Sequence, residues 1–282
     1  MQTVESIKAL RQMRSDWRNN NKKVGFVPTM GNLHDGHLEL VKEASRQCDV
    51  VIASIFVNPL QFGQNEDLAT YPRTLDEDKQ KLIAHGTDAL FLPTVEEMYP
   101  RGPEQQTFVE VPGISSIICG ASRPGHFRGV ATVVCKLFNM VQPDIALFGQ
   151  KDYQQLQVIR LMTQDLCIDT SIEGVPTQRA PDGLALSSRN GYLNETQRST
   201  APKLYAEMQA LAAKIRQGES DYRRLAAESV QYLAAHGFKP DYIEVRNAHT
   251  LLPATGDDSQ LVILAAAYLG KTRLIDNLTV EL

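Results

Sequence analysis

Between residues 24 and 44 the hydrophobic pattern changes its period, and this change constrains the fold more than any other feature. Val24, Phe26 and Val27 form an apolar run, β-branched and aromatic, that suits a buried strand. Pro28 cannot donate to a central ladder, so the strand is expected to end near it. A turn carrying Gly31 and Gly36 follows. Leu38, Val41 and Ala44 then recur at three-residue spacing, with Glu39, Lys42 and Glu43 between them, as in an amphipathic helix. A second apolar run, DVVIASIFV at 49–57, completes a βαβ unit, which implies a parallel sheet covered on both faces.

His34 and His37 fall where that helix begins. The first N–H groups of a helix lack internal partners and the helix dipole is positive there, so the site favours an anion, above all a phosphate. Two imidazoles three residues apart can both donate to it. Two other readings compete: ordinary loop histidines, or a metal ligand. The strand-to-helix context favours the nucleotide reading over the bare HxGH spacing.

Downstream, Asn58 and Gln61 lie at the carboxyl end of a strand, where open parallel sheets bind ligands; a plain polar turn is the alternative. Residues 65–73 are polar and loop-like. Residues 74–85 read as a helix capped by Thr74, with Glu77 three positions on. Residues 88–92 read as a strand, and the alternating TFVEV at 107–111 as a strand at an edge or in a hairpin. A glycine-rich loop over 120–129 precedes a helix expected from Val130 to Val141; its Arg123, His126 and Arg128 suit an anionic ligand or simple solvation. After a strand at 144–148 comes a second strand–turn–helix junction with Gly149, Gln150, Lys151 and Asp152, then helix positions Leu156, Ile159 and Met162. A last strand spans 169–175. Ser187, Ser188 and Arg189 suit β- and γ-phosphates, or a helix N-cap.

From Glu195 the texture shifts to two long helices, 195–218 and 221–237, followed by strands at 241–246, 260–268 and 272–276. That order suggests a separate, smaller α+β domain beginning after residue 176. The expected division is therefore 1–176, an α/β parallel-sheet domain, and 177–282.

Composition narrows the partners. The 282 residues carry a net charge of −4, so no basic surface for nucleic acid is implied. No apolar run approaches the roughly 20 residues that span a bilayer, and the N-terminus does not read as a secretory signal. Cys48, Cys119, Cys135 and Cys167 form no CxxC pair, which reads as mostly buried, reduced thiols in a cytoplasmic protein.

Taken together, VPTMGNLHDGHLELV, SIFVNPLQF, YPRTLDED, ASRPGHFRGV, VQPDIALFGQKDYQQL, DGLALSSRNGYL and LGKTRLIDN resemble the pantoate–β-alanine ligase (AMP-forming) family, of the HIGH-type nucleotidyltransferase superfamily. The blocks stand in the family's order across nearly the whole chain. The resemblance implies a Rossmann-like catalytic domain, a smaller C-terminal lid, a homodimer, and Mg²⁺ accompanying ATP. It implies adenylation of pantoate followed by attack of β-alanine. It assigns ATP to Met30, Gly31, Asn32, Leu33, His34, Asp35, Gly36 and His37, to Gly149, Gln150, Lys151 and Asp152, to Gln178, and to Leu186, Ser187, Ser188 and Arg189. His37 is then the proton donor, with His34 beside it. Gln61 and Gln155 would hold pantoate, and Gln61 also β-alanine.

Overall fold

Short apolar strands alternate with helices through the first part of the chain, and each crossover returns the next strand parallel to the last. The computed structural model describes residues 1–63 and 66–282. In order, its first elements are β1 (Gln2–Val4), α1 (Ile7–Asn19), β2 (Val24–Thr29), α2 (Asp35–Gln47), β3 (Val50–Ile55), α3 (Leu75–Ala84), β4 (Ala89–Phe91), α4 (Val95–Met98), α5 (Cys119–Ser122), α6 (His126–Val141), β5 (Ile145–Gly149), α7 (Tyr153–Asp165) and β6 (Ser171–Val175). The strands form one parallel sheet in the order β1-β4-β3-β2-β5-β6. Chain progression runs outward one way from β2 to β4 and the other way from β5 to β6. The switch therefore lies between β2 and β5, where such sheets bind ligands at their carboxyl edge. On one face, Val27, Val51, Ala53 and Leu147 pack with Leu40, Val41 and Ala44 of α2. Each large side chain so buried contributes about 1.5–3 kcal/mol.

The chain forms two compact units: Met1–Gln150 with Gln155–Pro176, and Lys151–Gln154 with Thr177–Leu282. The second contains α8 (Glu195–Thr200), α9 (Lys203–Arg216), α10 (Tyr222–Ala235) and an antiparallel sheet, β7 (Lys239–Asn247), β8 (Gln260–Leu269) and β9 (Thr272–Glu281). Leu204, Met208, Leu211 and Ile215 of α9 and Leu225 and Leu233 of α10 cover Leu261, Ile263 and Leu274. Residues 151–154 join this unit through side chains: Asn277 Nδ2 donates to the Lys151 carbonyl and Tyr153 Oη to the Ala248 carbonyl, each at 2.8 Å.

Several elements depart from the sequence expectations. Strand β2 runs through Pro28 to Thr29, because its pairing with β5 stops at Phe26. Val24 faces β5, accepting from Asp144 N, and Thr29 faces β3, accepting from Phe56 N. Alternation then turns Pro28 toward the β5 side, where no ladder bond is asked of it. Thr74 precedes α3 without a side-chain cap; its hydroxyl lies 3.2 Å from Asp78 Oδ1 instead. Residues 107–111 form no strand: Val109 N donates to the Thr132 hydroxyl of α6 at 3.0 Å rather than to a neighbouring strand. Helix α6 begins at His126, not Val130, so His126 and Arg128 belong to its first turn. The helix expected over 195–218 breaks into α8 and α9 around Pro202, which lacks the N–H to continue it. The short β1 was not anticipated; it pairs with β4. Among the four free cysteines Cys119 is buried, Cys48 and Cys135 are half-buried and Cys167 is exposed. Asn65, expected to open the polar loop, lies outside the described residues.

Candidate active site

In the first unit, the loops after β2 and β3, with Gly149 and Gln150 at the end of β5, stand at the carboxyl edge of the sheet beside the switch point. His34 is the N-cap of α2 and His37 its third residue, and the two form a reciprocal capping box. His34 Nδ1 accepts from Gly36 N at 3.1 Å, and His37 Nδ1 accepts from His34 N at 3.3 Å. The rings are tilted, with centroids 4.1 Å apart. A neutral imidazole whose Nδ1 accepts carries its proton on Nε2. The cap therefore selects one tautomer at both positions and makes Nε2 the donor of each ring.

The loop before the cap is tied inward. Gly31 (φ +84°) and Asn32 (φ +50°) both stand at positive φ, and the turn they make leaves the Asn32 and Leu33 N–H groups facing one concavity. An internal carboxylate fills it. Asp78, 1% exposed, accepts from Asn32 N and Leu33 N, both at 2.8 Å. Leu33 itself is core, 2% exposed, and its carbonyl accepts from Lys81 Nζ at 2.7 Å. Met30 and Gly36 are half-buried and Asp35 is exposed.

Gln61 closes a 3-10 turn after β3, over Pro59–Gln61. Its side-chain Oε1 accepts from Asn58 Nδ2 at 3.0 Å. Asn58, 1% exposed, also donates to the Gly129 carbonyl and accepts from Tyr99 Oη at 2.7 Å. Burial pushes the Tyr99 phenol well above its ordinary pKa, so it stays a donor. The Gln61 carbonyl accepts from Arg123 Nη2 at 3.1 Å and from His126 Nδ1 at 2.9 Å. Arg123 Nη1 lies 3.0 Å from His126 Nε2; a guanidinium only donates, so Nε2 accepts and the ring proton sits on Nδ1. Arg123 also forks onto Glu66 at 2.5 and 2.6 Å. Burial alone would raise the Glu66 carboxyl, but the Arg123 hydrogen bonds and charge overcome this and hold it below the usual carboxylate range. Arg128 lies over the Phe108 ring. Arg123 and His126 thus hold the backbone that presents Gln61.

After β5, Gly149 is half-buried with open space where a Cβ would lie, and Gln150 Nε2 donates to the Gly174 carbonyl at 3.2 Å. Gln155 is half-buried in the first turn of α7.

In the second unit, Lys151 Nζ lies 3.7 Å from Asp152 Oδ2. Gln178 and Leu186 close a loop on themselves, Leu186 N donating to the Gln178 carbonyl at 2.9 Å. Arg179 anchors that loop: it donates to both oxygens of Asp276, at 2.6 and 2.8 Å, and its guanidinium stacks 3.4 Å above Tyr205. Ser187 caps the 3-10 turn Ser188–Tyr192, its Oγ accepting from Arg189 N at 3.3 Å, which leaves the hydroxyl proton able to donate. Among the described residues no group of three or more His, Cys, Asp or Glu could hold a metal ion.

The family model for pantoate-beta-alanine ligase matches residues 2–279. The chain belongs to the pantoate–β-alanine ligase family. It is similar to the pantothenate synthetase of Alteromonas mediterranea, at 60% identity over 280 residues, 99% of each chain. Its fold matches the crystal structure of pantothenate synthetase from Thermus thermophilus, at 46% identity and a TM-score of 0.91 over 99% of both chains. It also matches the pantoate-beta-alanine ligase of Francisella tularensis complexed with beta-gamma ATP and beta-alanine, at 38% identity and a TM-score of 0.81, over 99% of this chain and 97% of that one.

Within this ligase fold, the residues that sequence reasoning missed are the supporting ones: Asp78, Lys81, Tyr99, Arg179 and Asp276. Asp78 reads in sequence as an ordinary acid in a helix's first turn, complementing the dipole. Its burial, and the two N–H groups it meets, come from residues 45 and 46 positions away. The one signal available was the block in which it stands, YPRTLDED, which helix periodicity does not explain.

Proposed function

We propose that this ligase condenses (R)-pantoate with β-alanine, consuming ATP and passing through pantoyl adenylate. The observation that carries the reading is the capped histidine pair, two Nε2–H donors held at a helix start beside the switch point of a parallel sheet. A pantoate carboxylate oxygen attacks the α-phosphorus, the bond to the bridging oxygen breaks, and pyrophosphate leaves with the electron pair. The β-alanine amine then attacks the acyl carbon, loses a proton, and AMP departs. Charge builds on pyrophosphate in the first step, so preorganised donors lower that barrier. His37 Nε2 supplies the proton to the leaving group, with His34 beside it.

The remaining assignments follow the family resemblance. ATP is met by residues 30–37 and 149–152, by Gln178 and by residues 186–189. Because Asn32 N and Leu33 N already serve Asp78, the imidazoles rather than those two N–H groups carry the contact in the first loop. Gln61 and Gln155 hold pantoate through amides that both donate and accept, and Gln61 also meets β-alanine. Mg²⁺ would accompany ATP and would offset the charge of its phosphates, without a dedicated set of protein ligands. A division at residue 176 with 177–282 as lid, a homodimer and a cytoplasmic location belong to the same reading. Among the described residues no helix is long and apolar enough to cross a membrane.

The test is exchange of labelled pyrophosphate into ATP. It should need pantoate but not β-alanine, and full turnover should release free AMP. Exchange without any carboxylic acid, or AMP retained in the product, would refute the reading.

A further inference from the structure

Leu33, the residue just before the N-cap histidine, has both its backbone groups gripped by one helix. Its N–H donates to Asp78 and its carbonyl accepts from Lys81, and these two side chains sit three residues apart on the same face of α3. Asp78 reaches further, to Asn32 N, and the Thr74 hydroxyl lies 3.2 Å from its Oδ1. The carboxylate thus supports a left-handed, non-glycine residue, Asn32, that would otherwise be strained. Gly31 adds to the constraint: a Cβ there would lie 3.3 Å from Asp78 Oδ2 and 3.2 Å from Ile55. The chain entering α2 is thus held from α3 at Asn32 and Leu33, across the loop, in addition to the local bonds of the cap itself.

We infer that Asp78 and Lys81 are positioning residues for adenylation: they clamp Leu33 so that the capped pair His34 and His37 points at the reacting phosphates. This rests on the function proposed above. The carboxylate suits the task because a single group must accept from two adjacent N–H donors at once. An amide of the same size has one acceptor oxygen, and its NH₂ would oppose the second donor. Lys81 completes the clamp by fixing the carbonyl on the other side of the same residue.

Asp78→Asn separates this role from plain structural support. Two half-reactions are measured: pantoate-dependent pyrophosphate exchange, and release of pantothenate from pre-formed pantoyl adenylate with β-alanine. The expected result is a tenfold or greater fall in the exchange kcat, with the second half-reaction within twofold of wild type. Hydrogen exchange at the Asn32 and Leu33 amides should quicken while α2 stays protected. In a His37→Ala background the same substitution should cost less than threefold more, since Asp78 acts through that histidine. Equal losses in both half-reactions, or no loss in either, would overturn the inference, as would full additivity with His37→Ala. Should Asp78→Asn fail to fold, Lys81→Met is read by the same criteria, with a smaller loss confined to exchange. Wild-type enzyme that shows no pantoate-dependent exchange would instead defeat the proposed function, so the two failures are distinct.

Discussion

His37 Nδ1 accepts the backbone N–H of His34 at 3.3 Å, so the second histidine of the pair caps the backbone of the first. The same ring is thereby assigned two tasks, closing the helix start with Nδ1 and presenting a proton on Nε2. His37→Ala should lower pantoate-dependent exchange by about 10²-fold or more, the range for losing a positioned proton donor. Stability should fall only by a cap's worth, about 0.5–2 kcal/mol. Kinetics paired with a urea melt check both; collapse of the fold would assign the ring to structure.

Gln155 stands half-buried in the first turn of α7. Gln155→Ala should raise KM for pantoate by about 10- to 100-fold, the equivalent of losing a hydrogen bond to a charged group. KM for ATP should move far less. Equal shifts for both substrates would reject the assignment.

Gly129 lies against the turn that carries Gln61. A Cβ there would come within 2.2 Å of the Leu60 carbonyl oxygen and 2.6 Å of its carbon, both backbone atoms. Gly129→Ala must therefore push α6 and the turn apart. We expect overpacking of about 1–3 kcal/mol in a denaturant melt, with pantoate and β-alanine use both impaired, since Gln61 moves with its backbone. Unchanged kinetics would show that the turn tolerates displacement.

The Arg123–Glu66 pair gives a pH signature. The folded Glu66 carboxyl lies below the ordinary value of 4.5, so its contribution is fully present above that value and is lost as pH falls through the folded one. With the Glu66 side chain 26% and the Arg123 side chain 18% exposed, screening holds that contribution to about 1 kcal/mol or less. Melts of wild type and Glu66→Gln from pH 7 to pH 3 should differ by a constant amount down to about pH 5. Below the ordinary carboxylate value of 4.5 they should converge. A gap that widened in acid would contradict the pairing.

Much of this was legible in residue order. The βα junctions at 24–44 and 144–162 follow from local periodicity, because a buried parallel strand and an amphipathic helix leave different patterns in adjacent residues. The helix start at His34 was visible for the same reason. Where the sequence reading failed, the deciding partner was remote. The TFVEV segment alternates like a strand, yet Val109 found the Thr132 hydroxyl 23 residues on. Pro28 stayed in its strand because β5, more than a hundred residues downstream, stops pairing before it.

The sequence by itself determined where the histidines, amides and glycines stand, since turn, cap and strand preferences act over a few residues. Only the tertiary structure decided how those groups are held. Asp78 turns inward to two amides, Arg123 to a carbonyl and a carboxylate, and Arg179 to Asp276, and each of these bonds joins residues at least 45 positions apart. Such bonds depend on the distance and direction between folded elements, and a linear string of residues encodes those only through the packing of the whole.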